Sequence, residues 1–305
     1  MRYLRDRIIS FAATLLLISA VTFFAVNVLP GDPALLILGT EGDPERLASL
    51  RQELGLNQPV LIRFAGWLTG MLRGDLGRSI RYSVDIAPLI KNALPVTLLL
   101  AVSGVGLALL ISIPIGIGCA VRHGSLFETL SLVMTQFGMA LPSFWLGLLL
   151  INLFALRFGI LPPAGYTSGA SLILPALALA LPRAAVLIRV VRGSVLDALN
   201  QDYIRTARSK GLPQYMVLYK HALKNAAVSI AAVSGVQLTQ LLGGTIVIEQ
   251  VFGLPGLGQL LLAAALMRDL PLVQGLVVTS AALILAVNFG LDLVLLSLDP
   301  RLRYE

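Results

Sequence analysis

Leu94-Pro-Val-Thr-Leu-Leu-Leu-Ala-Val-Ser-Gly-Val-Gly-Leu-Ala-Leu-Leu-Ile-Ser-Ile-Pro-Ile-Gly-Ile-Gly-Cys-Ala-Val121 runs without a single charged residue. A helix of about 20 apolar residues crosses the ~30 Å hydrocarbon core of a bilayer, and this stretch is longer than that. Comparable runs lie near 8–29, 127–156, 171–199, 226–249 and 272–297. Of the 305 residues 57% are hydrophobic and 13% charged, against roughly 25% charged in soluble domains. The mean hydropathy is +0.86. The chain is therefore expected to be an all-α polytopic membrane protein with six transmembrane helices.

The first run follows Arg2, Arg5 and Arg7 and has the outline of a secretory signal. Its apolar part exceeds the 7–15 residues of a signal core, and Leu29-Pro-Gly-Asp-Pro33 follows where a small-residue cleavage site would stand. It is read as a retained span. The net charge of +7 does not point to nucleic acid, because the positive residues flank the spans. Arg183 to Asn225 holds eight Lys and Arg against Asp197 and Asp202, whereas Pro30 to Asn92 balances seven against seven. Basic connections mark the cytoplasmic side. Six spans then place both termini there, in agreement with Arg301 and Arg303 after the last.

Between the first two spans, Pro59, Val60, Leu61, Phe64, Ala65, Leu68, Met71 and Leu72 recur at helical spacing. Such an amphipathic helix suits either the outer membrane surface or a seat for a partner. Small residues such as Gly104, Gly116, Gly147 and Gly235 permit close helix contact in lipid. Pro114, Pro142, Pro175 and Pro182 are expected to kink helices, or to break them where a cavity is lined.

Enzyme chemistry lacks its residues. His123 and His221 are the only histidines and both fall in connections, so no histidine metal site or Ser-His couple forms inside the membrane. Asp292 is the one acid well inside a run, and no phosphate-cradling loop ending in Lys-Ser or Lys-Thr occurs. Cys119 alone makes neither an intrachain disulfide nor a thiolate metal site. Ion-coupled carriers place acids or histidines at mid-membrane, and the first, second, third and fifth spans have none at their centres. A self-contained channel or carrier is thus disfavoured, and the driving energy is expected from another subunit.

Asp202-Tyr-Ile-Arg-Thr-Ala-Arg-Ser-Lys-Gly-Leu-Pro213, continuing to Tyr219-Lys-His-Ala-Leu-Lys-Asn225, reads as helix, turn, helix. Gly211 suits a left-handed cap and Pro213 the first turn of the second helix. Tyr203 and Ala207 share a face at i, i+4, and Met216, Val217 and Tyr219 offer apolar surface to a soluble partner. Arg205-Thr206-Ala207 followed by Gly211 resembles the EAA-loop signature of ABC import permeases, with Arg and Thr where many members carry Glu and Ala. Leu223-Lys224 stands in place of the usual Leu-Pro, as in the peptide-permease variant.

Leu29–Pro33, Leu54-Gly-Leu-Asn-Gln-Pro59, Arg73-Gly-Asp-Leu-Gly-Arg-Ser79, Glu249 with Val251-Phe-Gly-Leu-Pro-Gly-Leu-Gly258, Arg268-Asp-Leu-Pro-Leu-Val-Gln-Gly275 and Asp299-Pro-Arg-Leu-Arg-Tyr304 also resemble the dipeptide, oligopeptide, glutathione and nickel permeases. The likeness covers nearly the whole chain. The long segment after the first span resembles the B-type rather than the C-type member of the permease pair. The resemblance implies a type I ABC importer permease arrangement. It divides the chain into 1–29, with the first span; an extracytoplasmic insertion at 30–93; a transmembrane domain at 94–297 with a coupling loop at 202–225; and a cytoplasmic tail at 298–305.

The same resemblance implies the partners: a second, C-type permease, two ATPase subunits that hold ATP and Mg2+, and an extracytoplasmic binding protein. This chain would bind no cofactor and sit in a bacterial inner membrane. Tyr203, Arg205, Thr206, Ala207, Lys210, Gly211, Leu212 and Met216 would form the ATPase-coupling surface. Di- or oligopeptides, glutathione included, stand ahead of nickel or other small solutes as substrate.

Two further places are marked by the residues themselves. Phe252 to Leu266 is too short to span and too apolar for an open loop, so Phe252, Pro255 and Leu257 belong to an outer gate or cap the bundle. Arg183 follows Pro182 near mid-membrane, where a charge costs at least ~2.5 kcal/mol. Either carbonyls freed by Pro182 or Asp292 compensate it, or it faces the translocation path toward a peptide carboxylate.

Overall fold

The computed structural model describes residues 2–28, 44–53 and 57–298. The Leu29–Pro33 and Asp299–Tyr304 motifs, the opening of Leu54–Pro59 and the tail from 299 onward lie outside the described residues. Every extended element among the described residues is helical, and the one strand-like pairing joins Arg78 to Asp85. The chain forms two compact units, 1–95 with 259–285, and 96–258 with 286–305.

In the first unit, α1 (Arg2–Val28) precedes α2 (Pro44–Glu53) and α3 (Val60–Leu72). The amphipathic helix forms as its spacing predicts. One edge of it packs on the end of α1, where the Phe23 ring lies 5.4 Å from both Phe64 and Trp67. Leu61, Ile62 and Leu72 remain exposed. The chain then turns at 77–85, with Ser79 N donating to the Val84 carbonyl at 2.9 Å, and enters α4 (Ile86–Val121). That helix starts eight residues before the apolar run at Leu94, and Pro95 and Pro114 are carried within it.

In the second unit the third run is not one helix. α5 (Leu126–Ala140) and α6 (Ser143–Leu150), which continues through a π-helical stretch Ile151–Arg157, meet at a bend of 99°. Leu141 takes an extended backbone, φ −82° and ψ 125°, as a residue before proline prefers, and the helix ends there. A 3₁₀ turn at Gly169–Leu172 leads into α7 (Ile173–Leu199), which tolerates Pro182 in its interior.

α8 (Asp202–Ser209) is followed by a helical turn, Gln214–Met216, and a π-helical stretch, Val217–Ala222, that feeds α9 (Leu223–Gly244). The fifth run, expected at 226–249, therefore ends early. Thr245 separates it from α10 (Ile246–Phe252), and Gly253, at φ 59°, caps α10 in the left-handed region. α11 (Leu257–Leu266) and α12 (Leu270–Leu298) complete the chain. Among the described residues five helices are long and apolar enough to cross a membrane, and up to seven spans result if each broken pair counts as one.

α7 is the hub of the second unit, touching α5, α6, α9 and α10. Its small buried residues, Ala176, Ala178, Ala180, Ala184 and Ala185, let neighbouring backbones come close. Gly116 of α4 does the same from the other side: a Cβ there would stand 2.6 Å from Val191 Cβ. Cys119 is buried, as a small apolar residue would be.

Candidate functional site

The 202–225 loop has its own small core. Ile204, Ala207, Val217 and Ala222 are buried together with Ala198, and Leu199 and Leu212 pack against them. Gly211 takes φ 75°, its N–H bonding to the Arg208 carbonyl at 2.9 Å, while Leu212 N reaches the Ala207 carbonyl at 3.4 Å. This is the left-handed cap the sequence suggested. Pro213 then precedes the Gln214–Met216 turn.

Two assignments in the loop change. Ala207 and Val217, placed on the partner-facing surface by spacing alone, point into the loop's interior. Tyr203, Arg205, Thr206, Lys210, Gly211, Tyr215 and Tyr219 face outward, and Leu212 and Met216 are half-buried. Asn225 Nδ2 donates to the Tyr203 hydroxyl at 2.9 Å and to the His221 carbonyl at 3.0 Å, which ties the start of α8 to α9. The loop is thus a compact body attached to the ends of α7 and α9, with tyrosines and cations on its outside.

Three arginines leave α7 in different directions. Arg183 Nη1 donates to Gln237 Oε1 at 2.8 Å and to Gln240 Oε1 at 2.9 Å, both on α9. Its acceptors are therefore neither carbonyls freed by Pro182 nor Asp292. Arg189 Nη1 donates to Gln136 Oε1 of α5 at 3.1 Å and lies 3.8 Å from Met139 Sδ. Arg192 pairs with the buried carboxylate of Glu128, which also accepts from Gly124 N at 2.6 Å and meets His123 Nδ1 at 3.1 Å. Ser125 caps the same helix start by accepting from Glu128 N.

The segment after α9 is anchored by a fully buried acid. Glu249 Oε1 accepts from the Thr97 hydroxyl at 2.7 Å and the Thr245 hydroxyl at 2.9 Å, and Thr97 Oγ1 in turn accepts from Leu257 N at 2.8 Å. Gly256 and Gly258 leave the room this carboxylate occupies. Phe252 and Leu257 are buried, whereas Pro255 is exposed. The Phe252 ring lies where a Cβ on Gly147 would come within 2.9 Å of it, and its carbonyl accepts from Gly165 N at 2.8 Å. Reasoning from the sequence singled out Phe252, Pro255 and Leu257 but gave Glu249 no role. Its signals were a place beside the Val251–Gly258 motif and an acid at the edge of an apolar run next to Gly-rich turns.

Comparison with known proteins bears on both halves of the chain. Residues 1–101 match the N-terminal model of binding-protein-dependent transport system membrane components, and residues 112–304 match the model of the binding-protein-dependent transport system inner membrane component. The chain belongs to this family of inner membrane transport components. Among its relatives is a putative peptide transport system permease protein of Brucella abortus (strain 2308), 42% identical over 299 residues and 95% of each chain. A glutathione transport system permease protein of Salmonella typhimurium is 37% identical over 305 residues and the whole of both chains. The inward-facing methionine ABC transporter MetNI matches in fold at a TM-score of 0.55, with 18% identity over 69% of this chain and 96% of that one. The protein is thus an all-helical ABC importer permease subunit that spans the membrane.

Proposed function

We propose that this chain is the B-type permease of a peptide importer, lining half of a translocation path for di- and oligopeptides, glutathione among them. The observation that carries the reading is the end-to-end similarity to peptide and glutathione permeases. In this reading the chain holds no catalytic group. Two ATPase subunits bind ATP and Mg2+, a C-type permease supplies the other half of the path, and a binding protein delivers substrate outside. Both termini lie in the cytoplasm of a bacterial cell, 30–93 lies outside it, and the membrane is the inner one.

The compact core beneath 202–225 supports a coupling role for the loop. A displacement imposed on its outer tyrosines and cations travels as a unit into α7 and α9, because Ile204, Ala207 and Val217 lock its two helical parts together. Phe252, Pro255 and Leu257 form the gate segment and Glu249 holds it.

Two measurements test this. In vesicles holding ATPases and binding protein, ATP-dependent uptake of a labelled dipeptide is expected only when the second permease is present. Uptake by this chain with ATPases alone would sink the proposal. Gly211→Val places a β-branched residue at φ 75° in open space, so its effect is backbone strain of about 1–3 kcal/mol rather than collision. Uptake and substrate-stimulated ATP hydrolysis should fall several-fold with membrane insertion intact; unchanged rates would remove the loop from coupling.

A further inference from the structure

α7 carries two cations that meet only neutral acceptors. Arg192 has the Glu128 carboxylate. Arg183 and Arg189 donate instead to amide oxygens, Gln237 and Gln240 for the first and Gln136 for the second, and among the described residues no carboxylate lies within ion-pair distance of either. The two helices that carry these acceptors bring none to them, and Glu249 of α10, which also touches α7, is engaged by the Thr97 and Thr245 hydroxyls. α9 contains no acid, α5 has only Glu128, and Asp197 stands two turns beyond Arg189 on α7. A glutamine oxygen orients a guanidinium without neutralising it, and here Arg183 is half-buried while Arg189 is exposed on the helix surface.

The two charges border one open strip. With 3.6 residues per turn, Pro182, Val186, Arg189 and Gly193 share an arc of α7. All four retain access, and a Cβ on Gly193 would meet nothing within 4 Å. The opposite arc, Ala184, Leu187, Ile188 and Val191, is buried. Arg183 closes the strip on the α9 side and Arg189 on the α5 side. Six residues place them about 9 Å apart along the helix axis. The same spacing sets them about 120° apart around the axis, so their forks reach toward opposite sides of the strip.

We infer that Arg183 and Arg189 form a two-point oxyanion site flanking the open strip of α7, selecting peptides that carry two carboxylates. Arginine is suited to this because its planar fork meets a carboxylate with two parallel hydrogen bonds. The glutamines hold each fork in position before substrate arrives, and their neutrality keeps the charge available. The site rests on the peptide reading above and adds a specificity to it.

The assembled importer, in vesicles with saturating binding protein, would be given four peptides: Glu-Ala-Ala, Gln-Ala-Ala and the C-terminal amide of each. Arg183→Gln and Arg189→Gln should each slow the two-carboxylate peptide about tenfold or more and slow the Gln-Ala-Ala amide, which has no carboxylate, less than twofold. The double variant should import all four at similar rates. Equal slowing of every peptide overturns the inference, since that is the behaviour expected if the guanidiniums hold lipid phosphates or an acid of the second permease. Loss of the assembled complex in Arg183→Lys and Arg189→Lys, which keep the charge, overturns it in favour of a structural role. If the lysine variants assemble, their discrimination should narrow but survive. A wild-type complex that imports none of the four overturns the peptide reading itself, a result distinct from equal slowing.

Discussion

Asp269→Ala is expected to lower the melting temperature of the purified protein by about 10 °C, and to expose the 77–85 turn to protease. Asp269 is buried, and its carboxylate accepts from the Ser79 hydroxyl at 2.5 Å, Arg81 N at 3.0 Å, Leu272 N at 3.2 Å and Ile80 N at 3.3 Å. Ser79 Oγ also accepts from Tyr82 N at 3.0 Å, so the turn and the start of α12 share one network. Removing the carboxylate leaves two buried donors, the Ser79 hydroxyl and Leu272 N, without an acceptor at about 1–3 kcal/mol each, and two part-buried ones at less. A total near 3–5 kcal/mol is at the upper end for a single substitution, and about 2–4 °C per kcal/mol converts it to the stated shift. Asp269→Asn keeps one acceptor oxygen and should fall between. An alanine variant with wild-type melting and an intact 77–85 segment would show that the network contributes nothing.

What could be read in the sequence, and what could not, follows from how far apart the interacting residues are. Run lengths without charge depend only on neighbours, so α1, α4, α7 and α12 were legible. So was the cap at Gly211, because a glycine two residues before proline is a local signal. Pro142 was legible as a possible break, but the 99° bend depends on what α5 and α6 pack against. The end of the fifth run at Gly244 was missed because apolar residues resume directly after it through Ile248, and Thr245 alone separates α9 from α10.

Long-range partners were invisible. Thr97 and Glu249 are 152 residues apart, and Ser79 and Asp269 are 190 apart. Gln237 and Gln240 sit at i, i+3 on α9, which puts them on one face, yet nothing local says that Arg183 lies opposite. The same limit explains Ala207. Spacing shows which residues share a helix face but leaves open which face is covered, and here the small alanine lies under and Tyr203 outside.

Glu249→Ala is expected to be the most damaging side-chain truncation in the second unit, with loss of about 3–5 kcal/mol and little assembled protein recovered. Three effects add. The Thr97 and Thr245 hydroxyls lose their shared acceptor in a site closed to water. The cavity left behind cannot collapse easily, because Gly256 and Gly258, which border it, have no side chains to fill it. Thr97 Oγ1, which accepts from Leu257 N, loses the bond that orients it, so the start of α11 is loosened as well. Glu249→Gln keeps an acceptor for both hydroxyls and should retain most of the stability. Gly258→Val probes the same place from the other side. Its Cβ would stand 2.7 Å from Ile246 Cα, a backbone atom that cannot rotate away, so the variant should fail to fold where Gly193→Ala, in open space, folds normally. Melting curves of Glu249→Ala, Glu249→Gln and Gly193→Ala in detergent decide the matter. If alanine at 249 melts with the wild type, the hydroxyl pair and the start of α11 are held by something other than this carboxylate.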